Sequence, residues 1–215
     1  MLYNNWLLAV ILNWPATRAG ATTSELGVAG QPHYMLFRAL DIAAGTCFLL
    51  GAAAFWAYAS RRWHKVVLAV LVGVLGASTI AESLFFPLQC SSALSLQCAQ
   101  EEATAAVGWA HQFHVVESVG SYCLIALLPV VLYLLVRRNP KLGRLRGVSL
   151  TLVAFVVLWF IESGYRDVHH ARSFGFEQRA FIIMFSVWYV AAVVYRRFAR
   201  AGSKAPAITA EAPLR

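Results

Sequence analysis

Apolar runs of membrane-spanning length follow one another through most of this chain, separated by short charged loops. Such runs leave few possible folds. Backbone polar groups in hydrocarbon must be paired by the protein itself, which only helices and closed barrels achieve. A spanning helix needs about 20 residues and a barrel strand about 10, so the runs read as helices. Composition agrees: 60% of the 215 residues are hydrophobic and 13% are charged, where a soluble domain carries about a quarter charged. The expected fold class is all-α, a polytopic transmembrane helix bundle.

Six spans are expected, roughly 2–14, 34–58, 66–87, 107–136, 147–166 and 177–195. The first is short and ended by Pro15. Three readings of it stay open: a true span, the visible part of a longer helix, or a signal peptide. Its missing basic start counts against a signal peptide. As a span it puts both termini in the cytoplasm. If it is cleaved, five spans remain, with the new amino terminus outside. One transmembrane domain then covers 1–197, and the Ala/Pro-rich tail 198–215 is expected to be a disordered cytoplasmic segment.

The net charge of +8 does not point to nucleic acid, because of where the charge sits. Thirteen of 18 Lys and Arg lie in three clusters, beginning at Arg61, Arg137 and Arg196, each beside the end of an apolar run. That is the positive-inside pattern, which places the clusters in the cytoplasm. The acids and histidines then segregate to the other side. Nine of ten carboxylates and five of six histidines fall there; only Glu211 and His64 do not. Seven tryptophans near predicted span ends suggest an interfacial belt, and Gly45, Gly51, Gly73, Gly76 and Gly120 suggest close helix packing.

Counting about 1.5 Å per residue outward from the basic clusters brings Asp41, Glu82, Glu117 and Glu162 to the outer ends of their helices. Ionisable groups at such depth are costly unless paired, hydrated or used. On the fourth span, His111, His114, Glu117, Ser118 and Ser121 share about a third of the circumference, opposite Val115, Val116 and Val119. The polar stripe should face the bundle and the valines the lipid. Glu162 with Arg166, and Arg38 with Asp41, have the spacing of helical ion pairs. His169 and His170 read as a solvated loop pair.

Two chemistries are open for this layer. His111 and His114, one turn apart, can ligate zinc or another divalent metal, with a third ligand from Asp41, Glu82, His169 or His170. An open position on such a metal turns bound water into a nucleophile. Glu82, Glu117 and Asp41 are then the candidate catalytic carboxylates, serving as base or completing the shell. Arg38, Arg179 and Ser118 are the candidate substrate contacts. The alternative is a satisfied polar lid. Cys90 and Cys98 share an outer loop where a disulfide can persist; single Cys47 and Cys123 offer no second redox pair. Haem is not expected, since suitable histidines occupy one end only, and no phosphate loop suggests a nucleotide.

The segment Ser24-Glu25-Leu26-Gly27 through Gly30, followed by a helix carrying Asp41 and Gly45, resembles the membrane family catalogued as domain of unknown function 998. Histidine at the outer start of the fourth span and the Glu177–Arg179 step opening the last one are similar too. The resemblance covers nearly the whole chain. It implies a six-helix integral membrane protein and, with the topology, a bacterial plasma membrane location. It implies no activity.

Three functions compete. The first is a hydrolase or transferase acting on a lipid or headgroup at the outer leaflet. The second is a non-catalytic partner of another membrane protein, with lipids the only other expected contacts. The third is a small-solute or proton-coupled transporter, against which stand inner halves such as VVLAVLVGVLGA that carry no ionisable residue.

Overall fold

The computed structural model describes residues 4–58, 62–137, 143–168 and 175–187, with no strand among them. In order these form α1 (Trp6–Leu12), α2 (Trp14–Arg18), a 3-10 turn (Ser24–Gly27), α3 (Tyr34–Tyr58), α4 (Arg62–Leu84), α5 (Leu96–Ala103), α6 (Trp109–Val136) and α7 (Gly143–Val168). Residues 175–187 form the last helix, α8. The stretches Tyr34–Ala57, Val66–Leu84 and Trp109–Leu134 are long and apolar enough to cross a membrane, and α7 carries a shorter apolar stretch, Arg146–Trp159.

Helix α3 covers Tyr34–Tyr58, the bounds of the apolar run itself. Expected boundaries shift elsewhere for local reasons. Helix α4 stops at Leu84 rather than 87, ahead of Pro87, which disfavours helical backbone just before it. Helix α7 starts at Gly143 rather than 147, because a helix continues past its apolar part into the basic flank. The inner end of the sixth span, Trp188, the tail 198–215, the pair His169–His170 and the side chains of Glu162 and Arg166 lie outside the described residues.

The first segment differs most from expectation. It breaks at Asn13, not Pro15. Asn13 leaves the helical region (φ −148°), and its side chain accepts the Ala16 N–H at the start of α2. Proline is tolerated in a first helical turn, where its missing N–H costs nothing. Pro15 therefore opens α2 instead of ending α1.

Close approach of α3 and α4 depends on two glycines. A Cβ on Gly45 would stand 2.7 Å from the Gly76 carbonyl oxygen, and one on Gly76 would stand 2.7 Å from the Gly45 oxygen. Gly51 and Gly73 make ordinary contacts and Gly120 faces open space, so close packing holds for two of the five. The main core joins five helices through Ala52, Leu75, Ile125, Leu128, Val156, Trp159, Phe181 and Phe185. Trp159 stacks on both Tyr122 and Phe181, which also touch each other, so this tryptophan belongs to the core. Trp14, Trp56, Trp63 and Trp109 are exposed, as a belt requires. The valine face of α6 is also exposed, at 45% for Val115, 69% for Val116 and 58% for Val119.

Candidate functional site: a polar cleft where three long helices end

A second, smaller core of Ala9, Ala16, Ala21, Leu26 and Phe37 packs the amino-terminal segment over the end of the bundle where α3 and α6 begin and α4 stops. The Ser24–Gly27 turn is fixed there by Glu25. Thr22 Oγ1 accepts the Glu25 N–H at 3.3 Å and Glu25 Oε2 accepts the Thr22 N–H at 2.6 Å, the reciprocal exchange of a capping box. Glu25 Oε1 takes three further donors: Ser91 Oγ at 2.9 Å, Ser92 Oγ at 3.3 Å and the Ala93 N–H at 2.9 Å. The carboxylate is 4% exposed, and these donors replace the water it has lost.

The loop that supplies those donors is closed by a Cys90–Cys98 disulfide, Cα atoms 6.0 Å apart. Ser95 caps α5 by accepting the Cys98 N–H. From α5, Glu102 meets His111 Nε2 at 2.7 Å, while His111 Nδ1 accepts the Gln89 N–H. A backbone N–H only donates, so Nδ1 is bare and the proton of His111 sits on Nε2, pointing at Glu102.

His114 has the opposite arrangement. Its Nδ1 lies 2.7 Å from the Phe86 carbonyl oxygen, which only accepts, so Nδ1 carries the proton. Nε2 is buried without a hydrogen-bond partner and stands 3.8 Å from Glu82 Oε1. The two histidines are thus not directed at one point. His111 is tied on both nitrogens, and His114 offers one. Among the described residues no three His, Cys, Asp or Glu side chains are grouped to hold one metal ion.

Around His114 opens a small cleft, partly open to the surroundings, lined by Thr23, Ser24, Gly27, Arg38, Asp41, Thr79, Glu82, Ser83, Pro87, Leu88 and His114. It gathers Arg38, Asp41, Glu82 and His114 from three helices. Arg38 and Asp41 do not form the expected ion pair. Arg38 donates Nε–H to the Gly27 carbonyl at 2.7 Å and lies against the Tyr34 ring. Asp41 Oδ1 accepts from Asn5 Nδ2 at 2.6 Å.

Ser118 and Glu117 sit beneath the cleft rather than on its wall. Ser118 Oγ donates to Glu82 Oε1 at 2.7 Å, Ser121 Oγ donates to Glu117 Oε1 at 2.9 Å, and Ser78 Oγ lies 3.1 Å from Ser121 Oγ. The serines cross-link α4 to α6 and orient Glu82. Arg179 lies outside the cleft. Its guanidinium donates to the Thr17 and Ala21 carbonyls at 3.2 and 2.6 Å and rests on the Trp6 and Phe176 rings. A cation suits the free carbonyls at a helix end, and this one fastens α8 to the amino-terminal segment. Gln178 adds a second tie, accepting the Thr23 N–H at 2.7 Å.

Sequence reasoning did not assign roles to Asn5, Ser91, Gln178 or the Phe86 carbonyl. Only the T-x-x-E spacing of Thr22 and Glu25 carried a readable signal, that of a capping box. No curated protein and no solved structure matches this chain. The family model described as "Protein of unknown function (DUF998)" matches residues 2–195. The chain belongs to that family.

Proposed function

We propose that this protein is a six-span protein of the bacterial plasma membrane, with both termini in the cytoplasm, that acts on a polar lipid headgroup at the outer leaflet. The basic clusters support this orientation through the positive-inside rule. The observation that carries the chemical reading is His114. Its ring is oriented by the Phe86 carbonyl, its Nε2 is buried without a hydrogen-bond partner 3.8 Å from Glu82, and the residue lines a cleft with Glu82, Asp41 and Arg38.

In this reading Nε2 of His114 takes the proton of the attacking water or hydroxyl as its oxygen bonds to the headgroup ester. It then returns that proton to the departing oxygen. Arg38 holds the anionic group of the headgroup through its outer nitrogens. Glu82 faces the imidazolium that forms, and Ser118 keeps Glu82 in place. The reaction class is hydrolysis or transfer. If zinc or another divalent ion takes part, His114 Nε2 is the imidazole lone pair on offer, with Glu82 and Asp41 the nearest carboxylates lining the same cleft.

The second reading, a non-catalytic partner of another membrane protein, draws on an exposed aromatic group beside the cleft: Phe85, Trp109 and Phe113. Proteoliposomes made from a mixed lipid extract separate the two. Mass spectrometry of the lipids after incubation should reveal a headgroup product that His114→Gln does not form. Unchanged lipids, with and without added divalent ions, would remove the catalytic reading.

A further inference from the structure

Arg38 and Asp41 are three residues apart on one helix, a spacing at which opposite charges ordinarily neutralise each other. Here each is held by a neutral partner instead, Arg38 by the Gly27 carbonyl and Asp41 by the Asn5 amide. Both line the cleft, and no ion pair joins them. The cleft therefore presents a cation and an anion separately. Asp41, Glu82 and the bare Nε2 of His114 line it together, and that nitrogen, on a side chain only 6% exposed, has no donor at all. A buried acceptor without a donor is costly.

We infer that the cleft binds a zwitterion, a molecule carrying a primary ammonium beside a phosphate or carboxylate, as phosphoethanolamine does. A primary ammonium brings N–H donors that match Asp41 and Glu82, and leaves His114 Nε2 to act as the base. The anionic end meets the Arg38 fork, whose planar donors suit a phosphate or carboxylate. A trimethylated ammonium brings no N–H donor for either carboxylate. The inference rests on the headgroup reading of the cleft and names its substrate class. The same chemistry has two sources, a lipid headgroup or a free zwitterion in the surrounding water.

Binding of phosphoethanolamine, ethanolamine and inorganic phosphate to the detergent-purified full chain tests this by calorimetry. Phosphoethanolamine should bind at least about tenfold tighter than either half, the scale of one charge-assisted contact. Arg38→Gln and Asp41→Asn should each cost about tenfold or more in its Kd, with thermal unfolding confirming that the variants are folded. If a variant does not fold, the three-probe comparison on the native chain decides alone. Equal binding of phosphoethanolamine and one half, or no binding of it, would overturn the inference.

Nanodiscs then separate the sources. Bilayers of phosphatidylethanolamine should block phosphoethanolamine binding while those of phosphatidylcholine or phosphatidylglycerol leave it intact, if the source is lipid. Binding alike in all three assigns a free zwitterion. These are binding measurements, so their outcome is separate from turnover. Selective binding without any headgroup product removes the catalytic reading and keeps this one. Turnover confined to lipids lacking a primary ammonium keeps catalysis and overturns this one.

Discussion

Glu25 Oε1 accepts the Ser91 hydroxyl at 2.9 Å across 66 residues of sequence, and this bond ties the turn that walls the cleft to the disulfide-closed loop. The remaining bonds of Glu25 all come from neutral donors. Glu25→Gln turns its N–H₂ towards a backbone N–H, that of Thr22 or of Ala93, which then lacks an acceptor. It should cost about 1–3 kcal/mol, the price of leaving buried donors unpaired, read as a lower unfolding temperature in detergent. Unaltered stability would show that the carboxylate is not what holds this turn.

The α3–α4 contact gives a prediction with an internal control. Gly45→Ala and Gly76→Ala place a methyl 2.7 Å from a facing carbonyl oxygen, and overpacking of this kind costs about 1–3 kcal/mol. Gly120→Ala meets nothing within 4 Å and should be neutral or slightly stabilising. Equal unfolding temperatures for all three variants would contradict the close approach.

Reduction of the Cys90–Cys98 bond should loosen the loop that carries Ser91, Ser92 and Ala93. Closing so short a loop is worth about 2 kcal/mol. The Cys90→Ser, Cys98→Ser double variant should therefore unfold earlier. Non-reducing peptide mapping should show the two cysteines linked in the native chain. Free thiols at both positions would dismiss the staple.

The two histidines of α6 should be opposite tautomers. His111 receives the Gln89 N–H on Nδ1 and His114 faces the Phe86 carbonyl with Nδ1. Nitrogen-15 spectra of the ring nitrogens in micelles should show a protonated Nε2 for His111 and a protonated Nδ1 for His114. A protonated Nε2 on His114 would undo its assignment as the available base.

Depth was the part of this site that sequence could supply. A bilayer fixes how far along its axis each helix residue lies, so counting alone puts Asp41 and Glu82 at the outer ends of their helices, and both line one cleft. The angular reading of α6 was legible for the same reason: its valines are exposed and His111, His114 and Ser121 are buried.

What counting along helices cannot supply is the path of the loops. His111 is drawn to Glu102 because the 88–106 segment folds back as α5. Arg179 is drawn to Thr17 and Ala21 because the amino-terminal segment turns over at Asn13. Both contacts join residues whose neighbourhood depends on tertiary packing. The Arg38–Asp41 pair failed for a related reason. Its spacing permits pairing, but Gly27 and Asn5 arrive from outside the helix and compete for each partner.

The most direct test of the account is the kinetics of His114→Gln on the lipid that the native chain processes in proteoliposomes. Glutamine can still donate to the Phe86 carbonyl, so the fold and KM should be kept while kcat falls on the order of 10²–10⁴, the contribution of a positioned acid–base group. A variant that remains folded and turns over its lipid at the native rate would contradict the assignment of His114 as the reacting base.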